Sequence, residues 1–256
     1  MNIEETKKIT LSLIDTFNKA SQLALDLRKA GLTKEIKSDN TPVSNGDIEV
    51  NTILTSKINE ITPNIAIVSE ESTNHKGENN LKDFWLIDPI DGTRDYINNR
   101  DEFTLNAALI INKKPVIGII TAPAKKRVFY SYGLSNSYEL TDGHEISLIN
   151  KEKNYSGLTS VSYSNELKPE ILEIHKKYKI ISHQRMKSSL KFCVIAAGEF
   201  DMYVTEPRAC EWDIAAGHAI LEHAGGKITD FNGDEVLYGK PGFKNPSLIL
   251  KSKNIV

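Results

Sequence analysis

Two aspartates stand three positions apart at the end of an apolar run, and this pair is the clearest chemical feature of the chain. Residues 85–87 are Trp-Leu-Ile, and residues 88–93 are Asp-Pro-Ile-Asp-Gly-Thr. An apolar run that ends in Pro and Gly is typical of a strand entering a turn. Asp88 and Asp91 on a stiff turn can bind one hard cation such as Mg²⁺, while the Gly-Thr step offers N–H groups and a hydroxyl. The segment therefore predicts a metal-dependent phosphate site.

Further carboxylates stand where other predicted elements begin or end. Glu70 follows a predicted strand, and Asp213 opens a predicted helix. Together with the aspartate pair and the backbone carbonyl of Ile90, these acids could converge on one cluster of cations. Two hard cations about 3.5–4 Å apart can clamp the attacking and leaving oxygens of a phosphoryl transfer. Each acid alone is explained as well by turn or helix-cap chemistry, so the prediction depends on the set.

Three motifs resemble those of the inositol monophosphatase superfamily, and they follow one another in that family's order. They are Glu70-Glu71-Ser72, the hexapeptide at 88–93 and residues 212–217, Trp-Asp-Ile-Ala-Ala-Gly. The resemblance covers nearly the whole chain. It implies an α/β (α+β) fold, a layered α-β-α-β-α sandwich of the inositol monophosphatase/fructose bisphosphatase type. It also implies two or three Mg²⁺ ions, with the metal ligands Glu70, Asp88, Ile90 (through its carbonyl), Asp91 and Asp213.

The same resemblance implies a mechanism. Asp47 matches the aspartate that opens the family's second helix, where it would hydrogen-bond Thr93; with Glu70, these are the expected catalytic residues. A metal-activated water would attack phosphorus directly, and Gly92 and Thr93 would give N–H groups to the phosphate. The Asp-x-x-Asp spacing argues against phosphatases that use an Asp-x-Asp nucleophile. Cys193 is not followed by the Arg of a thiol phosphatase loop.

Residues 188–191, Ser-Ser-Leu-Lys, resemble the 3′(2′),5′-bisphosphate nucleotidase (CysQ-type) branch of that family. Two hydroxyls at a helix start and a Lys one turn along form an anion site. Ser188, Ser189 and Lys191 are therefore expected to bind a second, non-reacting phosphate, and Asp213 is expected to contact the substrate as well as the metal. Residues 204–211 differ from the residues that are usual at this place in the branch. The sequence therefore does not predict which nucleoside the pocket prefers.

The implied substrate is adenosine 3′,5′-bisphosphate, with 3′-phosphoadenosine 5′-phosphosulfate as a further candidate, and the implied role lies in sulfur metabolism. Inositol monophosphatase or sugar (fructose bis-) phosphatase activity is the alternative, and Li⁺ inhibition is expected for any member of the family. A non-catalytic phosphate sensor is a third hypothesis, although a sensor has no need of the water-activating pair Asp47 and Thr93.

The hydrophobic pattern predicts the elements that must position these residues. A long amphipathic helix should end near Gly31. Residues 34–44 predict a short extended segment or a hairpin, and after a turn at 45–47 a helix is expected over 48–61. An antiparallel meander is expected next, with strands at 104–112, 115–122, 128–132 and 137–140.

Beyond a polar stretch at 149–157, strands and helices alternate, and the helices include 189–197 and 213–223. We therefore expect an N-terminal α+β half over 1–150 that carries most metal ligands. A C-terminal α/β half over 151–256 should carry Asp213 and the substrate-binding segment.

The composition excludes several classes of partner. The formal net charge is −2, so neither a nucleic-acid polymer nor an anionic membrane is indicated. The sequence predicts no transmembrane segment and no signal peptide, and a cytoplasmic location is expected, with peripheral inner-membrane association left open. The expected partner is a small-molecule phosphate ester, and the expected assembly is a monomer or a homodimer.

Overall fold

The computed structural model describes residues 1–37, 40–72, 81–149 and 157–255. It opens with α1 (Ile3–Ala30), a helix of 28 residues that buries one apolar face and ends at Gly31, as the sequence predicts. The antiparallel hairpin of β1 (Lys34–Ile36) and β2 (Pro42–Ser44) follows and leads directly into α2 (Asn45–Ile61). Among the described residues, no helix is both long enough and apolar enough to cross a membrane.

The larger sheet is drawn from residues before 150. Its strands lie side by side in chain order: β3 (Ala66–Ser69), β4 (Phe84–Asp91), β5 (Thr104–Ile111), β6 (Lys114–Ala122), β7 (Arg127–Ser131), β8 (Ser137–Thr141) and β9 (His144–Ser147). β3 and β4 are parallel, and the later neighbours are antiparallel, which confirms the predicted meander. Between β4 and β5 lies the short helix α3 (Thr93–Ile97), which the sequence pattern did not predict.

The smaller sheet and its helices follow residue 157. The elements are, in chain order, β10 (Leu158–Ser162), α4 (Pro169–Lys177), β11 (Ile180–Arg185), α5 (Leu190–Ala196), β12 (Met202–Thr205), α6 (Glu211–His223), β13 (Lys227–Thr229) and β14 (Leu248–Lys251). Across the sheet the strands run β11-β10-β12-β14-β13, with β10 parallel to both of its neighbours. The predicted alternation of helices and strands is confirmed here.

Strand β4 shows how the layers are assembled. Its side chains alternate: Trp85 and Ile87 pack with α1 and α2 on one face, whereas Leu86 packs with α5 and α6 on the other. A strand covered on both faces is a continuous apolar run, which is why residues 84–87 carry no polar alternation. The layers are therefore α1 and α2, the larger sheet, α5 and α6, the smaller sheet, and α4. This is the predicted α-β-α-β-α sandwich.

The two halves share a core. One hydrophobic cluster joins Leu86 and Ile120 of the larger sheet to Ile220 of α6 and to Leu250 of the smaller sheet. The strands of the larger sheet come before the boundary predicted near residue 150, and the strands of the smaller sheet come after it. Most of the polar stretch at 149–157 falls outside the described residues. The division into 1–150 and 151–256 stays a prediction.

Candidate active site

A bulge in β4 brings the two aspartates of the 88–93 segment onto one face of the larger sheet. On a regular strand, residues three apart point to opposite faces. Here Asp88 lies opposite Asn106 and Asp91 lies opposite Thr104, so three steps along β4 match two steps along β5. The extra residue turns both carboxylates toward α5 and α6. The expectation that the pair follows the strand is wrong, because this segment remains paired with β5 through the bulge.

Gly92 allows the chain to leave the strand sharply. Its φ is +95°, in the left-handed region, and a Cβ at this position would lie 2.8 Å from the carbonyl oxygen of Glu102. Only glycine meets both requirements without strain. Thr93 then begins α3 directly after the aspartate pair, and its hydroxyl lies 3.0 Å from the carbonyl of Ile90, the residue before Asp91.

Three of the predicted carboxylates meet in a cluster. Glu70, Asp88 and Asp213 each offer an oxygen within 4.8 Å of the others. Burial, followed by repulsion from neighbouring carboxylates, raises the pKa of Asp88 and raises that of Asp213 to about 8. Oδ1 of Asp88 is buried and has no hydrogen-bond partner among the described residues. A hard divalent cation would compensate all three groups, so the donor set fits one.

The carboxylate of Asp213 reaches this cluster from the first turn of α6. The sequence placed Asp213 at the start of that helix, but the helix begins at Glu211 with Cys210 as its N-cap. Oδ2 of Asp213 accepts a hydrogen bond from the backbone N–H of Cys210 at 2.6 Å. This capping bond fixes one carboxylate oxygen and aims the group at the larger sheet.

Asp47 is held in the same way at the start of α2. The sequence placed a turn at 45–47 before the helix, whereas the helix begins at Asn45 with Ser44 as its N-cap. Oδ2 of Asp47 accepts hydrogen bonds from the N–H and hydroxyl of Ser44, at 2.8 and 2.6 Å. Oδ1 accepts a hydrogen bond from the Thr93 hydroxyl at 2.9 Å. Asp47 is therefore both a capping residue and the predicted partner of Thr93.

The Thr93 hydroxyl has a second neighbour in the carbonyl of Ile90, 3.0 Å away. Burial raises the pKa of Asp47, which makes this carboxylate a stronger base than an exposed one. The arrangement can accept a proton from a water next to Thr93 and deliver it to Asp47.

A single serine holds the fourth carboxylate, Asp91. Oδ2 of Asp91 accepts hydrogen bonds from the backbone N–H and the hydroxyl of Ser189, at 2.5 and 2.6 Å. The same hydroxyl lies 2.5 Å from the backbone carbonyl of Asp213, and Nδ2 of Asn106 donates to it at 2.9 Å. Ser189 was expected to contact substrate. In the structure it is 2% exposed and its hydroxyl is engaged within the protein.

Glu70, Asp91 and Asp213 line a cleft of about 360 Å³, and Lys191 lines the same cleft. The ammonium group of Lys191 is buried, lies over the Tyr203 ring at 5.3 Å from its centroid, and donates to the carbonyl of Ser188 at 2.5 Å. Burial lowers the pKa of Lys191 to about 8. Burying a cation beside a neutral partner costs free energy unless an anion also binds the cation. The position of Lys191 therefore favours a bound anion.

Two further basic residues on the cleft wall were not assigned by the sequence. Lys187 forms an ion pair with Asp95 at 3.2 Å, which neutralises it. The guanidinium carbon of Arg208 lies over the ring of Tyr163, 3.2 Å from its centroid. Both positions come from loops, and only the folded chain brings them to the cleft.

Glu71 lies beside the cluster rather than in it. Its carboxylate forms an ion pair with Lys37 at 2.5 Å, and the Lys37 ammonium lies 3.6 Å from Glu70. Burial raises the pKa of Glu70 to about 6, and Lys37 opposes that shift. The structure thus separates the two acids as the sequence did, with Glu70 in the cluster and Glu71 next to it.

Comparisons with known proteins identify the family to which the chain belongs. The profile of the Inositol monophosphatase family matches residues 5–254. A curated relative, the 3′(2′),5′-bisphosphate nucleotidase CysQ of Buchnera aphidicola, is 37% identical over 79% of this chain and 76% of its own length. A crystal structure of CysQ from Bacteroides thetaiotaomicron superposes with a TM-score of 0.73 at 27% identity, covering 95% of this chain and 96% of that one.

A third likeness concerns the fold alone. An IMPase/NADP phosphatase complexed with Mg²⁺ and phosphate superposes with a TM-score of 0.76 at 17% identity, over 98% of this chain and 92% of that one. The family profile spans almost every element described above, from α1 to β14. The chain belongs to the inositol monophosphatase family.

Proposed function

We propose that the chain is a Mg²⁺-dependent 3′(2′),5′-bisphosphate nucleotidase, which hydrolyses the 3′-phosphate of adenosine 3′,5′-bisphosphate to AMP and phosphate. The observation that carries the proposal is the buried ammonium of Lys191, which opens onto the same cleft as the carboxylate cluster. A substrate with two phosphates would place one at each. The names of the curated relatives support this substrate class.

The metal site would be formed by residues of both halves. Glu70, Asp88 and Asp213 would hold Mg²⁺ through the oxygens that meet in the cluster, with Asp91 and the carbonyl of Ile90 as further ligands. Oxygen donors alone are the set that Mg²⁺ prefers. When bound, Mg²⁺ supplies charge neutralisation at the phosphate and a lower pKa for water.

Thr93 and Asp47 would move the proton. The Thr93 hydroxyl donates to Oδ1 of Asp47, so its own lone pair can accept a hydrogen bond from the attacking water. As the water attacks phosphorus, its proton would pass to Thr93 and the Thr93 proton to Asp47. The bond between phosphorus and the 3′ oxygen would break in the same step, and that oxygen would leave as an alkoxide that takes a proton from solvent to give AMP. Ser44 keeps Asp47 in place during this transfer through the capping hydrogen bonds.

The phosphates would be held by different parts of the cleft. The N–H groups of Gly92 and Thr93, at the start of α3, would bind the reacting phosphate. Lys191, with Ser188 beside it, would bind the non-reacting phosphate by a charge-assisted hydrogen bond. Holding both ends of the ester fixes the reacting phosphorus relative to Thr93.

The wider role follows from that substrate. Clearing adenosine 3′,5′-bisphosphate would serve sulfur metabolism, in the cytoplasm or at the inner face of the membrane, with the chain acting as a monomer or a homodimer. 3′-Phosphoadenosine 5′-phosphosulfate would be hydrolysed as well if the cleft accepts the larger 5′ group.

The proposal is tested by measuring phosphate release from a panel of esters with Mg²⁺, in the presence and absence of Li⁺. We expect adenosine 3′,5′-bisphosphate to be the fastest substrate, and Li⁺ to inhibit. Asp91→Asn should abolish turnover and leave the circular dichroism spectrum unchanged. Faster turnover of inositol 1-phosphate or fructose 1,6-bisphosphate would replace the substrate proposed here.

A further inference from the structure

Ser189 lies at the junction of three elements that carry metal ligands or their supports. Its backbone N–H and hydroxyl bind Asp91 at the end of β4, and its hydroxyl also reaches the backbone carbonyl of Asp213 in α6. From β5, Nδ2 of Asn106 donates to the same hydroxyl. Ser189 lines the cleft but is only 2% exposed, and Asn106 is 0% exposed, so these bonds are largely shielded from water.

The direction of the Ser189 hydroxyl hydrogen is set by Asn106. A hydroxyl group has one hydrogen and can accept two further hydrogen bonds. Because the amide of Asn106 occupies an accepting position, the hydrogen is turned toward the two acceptors, the Asp91 carboxylate and the Asp213 carbonyl. Asn106 thus restricts the hydroxyl hydrogen of Ser189 to these two acceptors, of which Oδ2 of Asp91 is one.

The two oxygens of the Asp91 carboxylate therefore have different roles. Oδ2 of Asp91 accepts both hydrogen bonds from Ser189, which leaves Oδ1 as the oxygen that can face a cation. The two oxygens of Asp47 and of Asp213 also differ in role, because a backbone N–H donates to one oxygen of each carboxylate. Fixing one oxygen restricts the rotation of the group and keeps the other oxygen aimed.

We propose that Ser189 and Asn106 are positioning residues that orient Asp91 for the cation and tie it to α6, and that Ser189 does not bind substrate. The inference rests on the metal site of the proposed function. It assigns the two residues to the binding of the cation, whereas Ser188 and Lys191 act on the second phosphate.

The test uses Mn²⁺ as a probe of the cation site, in the metal-free protein and without substrate. The decrease of the free Mn²⁺ signal in electron paramagnetic resonance gives the dissociation constant directly. Removing a group that orients a metal ligand weakens metal binding by about 10–100-fold. We expect Ser189→Ala to weaken Mn²⁺ binding by at least about 10-fold. We also expect its KM for adenosine 3′,5′-bisphosphate at saturating Mg²⁺ to stay within twofold of the wild-type value.

Ser188→Ala is the matched control, because the neighbouring Ser188 has the same side chain and is not bonded to Asp91. It should leave Mn²⁺ affinity unchanged. Unchanged Mn²⁺ affinity in Ser189→Ala together with a raised KM would overturn the inference and return Ser189 to substrate binding. If the wild-type protein itself binds no Mn²⁺, the metal site of the proposed function fails first.

Asn106→Leu keeps the experiment decisive if Ser189→Ala does not fold. The leucine has a similar volume and no donor, so it should weaken Mn²⁺ binding through Ser189 alone. The double variant Ser189→Ala/Asn106→Leu should then bind Mn²⁺ as Ser189→Ala does, since the two changes break one chain of contacts. Fully additive losses would show that Asn106 does not act through Ser189 and would overturn that part of the inference.

Discussion

The hydroxyl of Thr93 lies 2.9 Å from Oδ1 of Asp47, although the two residues belong to different helices. Both helices begin at this contact, α2 with the Ser44 cap and α3 with Gly92. The proton acceptor and the hydroxyl that would deliver the proton are therefore positioned by two helix starts, and the start of α2 is held by a reciprocal capping box.

Replacing Asp47 should separate catalysis from metal binding. Asp47→Asn keeps the size of the side chain and can still accept from Ser44, but an amide does not take the proton from Thr93. We expect kcat to fall by about 10²–10⁴-fold with Mn²⁺ affinity unchanged. Thr93→Ser, which keeps the hydroxyl, should retain most activity, whereas Thr93→Val should resemble Asp47→Asn. A fully active Thr93→Val would remove Thr93 from the mechanism.

Lys191 should act on the second phosphate only. Lys191→Met keeps the length and burial of the side chain and removes its charge. A hydrogen bond to a charged group contributes about 1.5–3 kcal/mol, so kcat/KM for adenosine 3′,5′-bisphosphate should fall by about 10–100-fold. Turnover of 3′-AMP, which has no second phosphate, should not change. Equal losses on both substrates would place Lys191 at the reacting phosphate instead.

The same lysine predicts a pH dependence. Because burial lowers the pKa of Lys191 to about 8, its ammonium is charged below that pH and loses its proton above it. The KM of the wild-type enzyme for the bisphosphate should therefore rise as the pH increases beyond about 8. Lys191→Arg stays charged throughout, so its KM should remain level between pH 7 and pH 9.5. A wild-type KM that is level over this range would contradict the prediction.

His223 should make the fold sensitive to acid. Its side chain is buried in the last turn of α6, and its Nδ1 accepts a hydrogen bond from the backbone N–H of Gly133 at 3.2 Å. Burial lowers its pKa from 6.5 to about 4. The unfolded chain therefore binds this proton first, and stability is lost as the pH falls from 6.5 toward 4.

Between pH 7 and pH 5, His223 should contribute a decrease of about 2 kcal/mol in the free energy of unfolding. His223→Gln, which can also accept from Gly133, should reduce that decrease, as measured by urea unfolding at the two pH values. His144→Gln on the exposed strand β9 is the matched control and should leave the decrease as it is in the wild type. An unchanged pH dependence in His223→Gln would show that other groups cause it.

Gly92 and Gly143 offer a matched pair of glycines. Both have a positive φ, but a Cβ at Gly92 meets the Glu102 carbonyl at 2.8 Å, whereas a Cβ at Gly143 meets nothing within 4 Å. Gly143→Ala should cost about 1 kcal/mol of backbone strain and leave activity unchanged. Gly92→Ala should cost more than Gly143→Ala and also displace Thr93, so both the urea midpoint and kcat should fall. Equal effects at the two positions would contradict the steric argument.

The sequence predicts the functional groups of this site better than their partners. Asp88, Asp91 and Glu70 stand in short motifs whose chemistry is local, and the family, the fold and the enzyme class inferred from them are confirmed. Asn106 could not be found in this way, because its partner Ser189 is 83 residues away and neither side chain belongs to a charged motif. This contact depends on how β5 of the larger sheet and the start of α5 meet, which no local pattern contains.

Element boundaries were missed where a side chain rather than the backbone pattern decides them. With Ser44 as its N-cap, α2 begins three residues before the predicted start at residue 48. With Cys210 as its N-cap, α6 begins two residues before the predicted start at residue 213. Strand β9 was missed because its residues face solvent at the edge of the sheet and carry no hydrophobic alternation. The roles of the site residues themselves stay predictions until the variants are measured.

The bulge in β4 has a consequence for how this segment can vary. Deleting one residue between Asp88 and Asp91 would restore a regular pleat and leave the two acids facing the same way, as Asp-x-Asp. Inserting one residue while the bulge remains would turn one acid toward α1 and α2, whereas an insertion that removes the bulge would leave both acids on one face, four positions apart. Spacing counted along the chain is thus a poor measure of spacing across the sheet, because the bulge adds a residue to β4 that has no counterpart on β5.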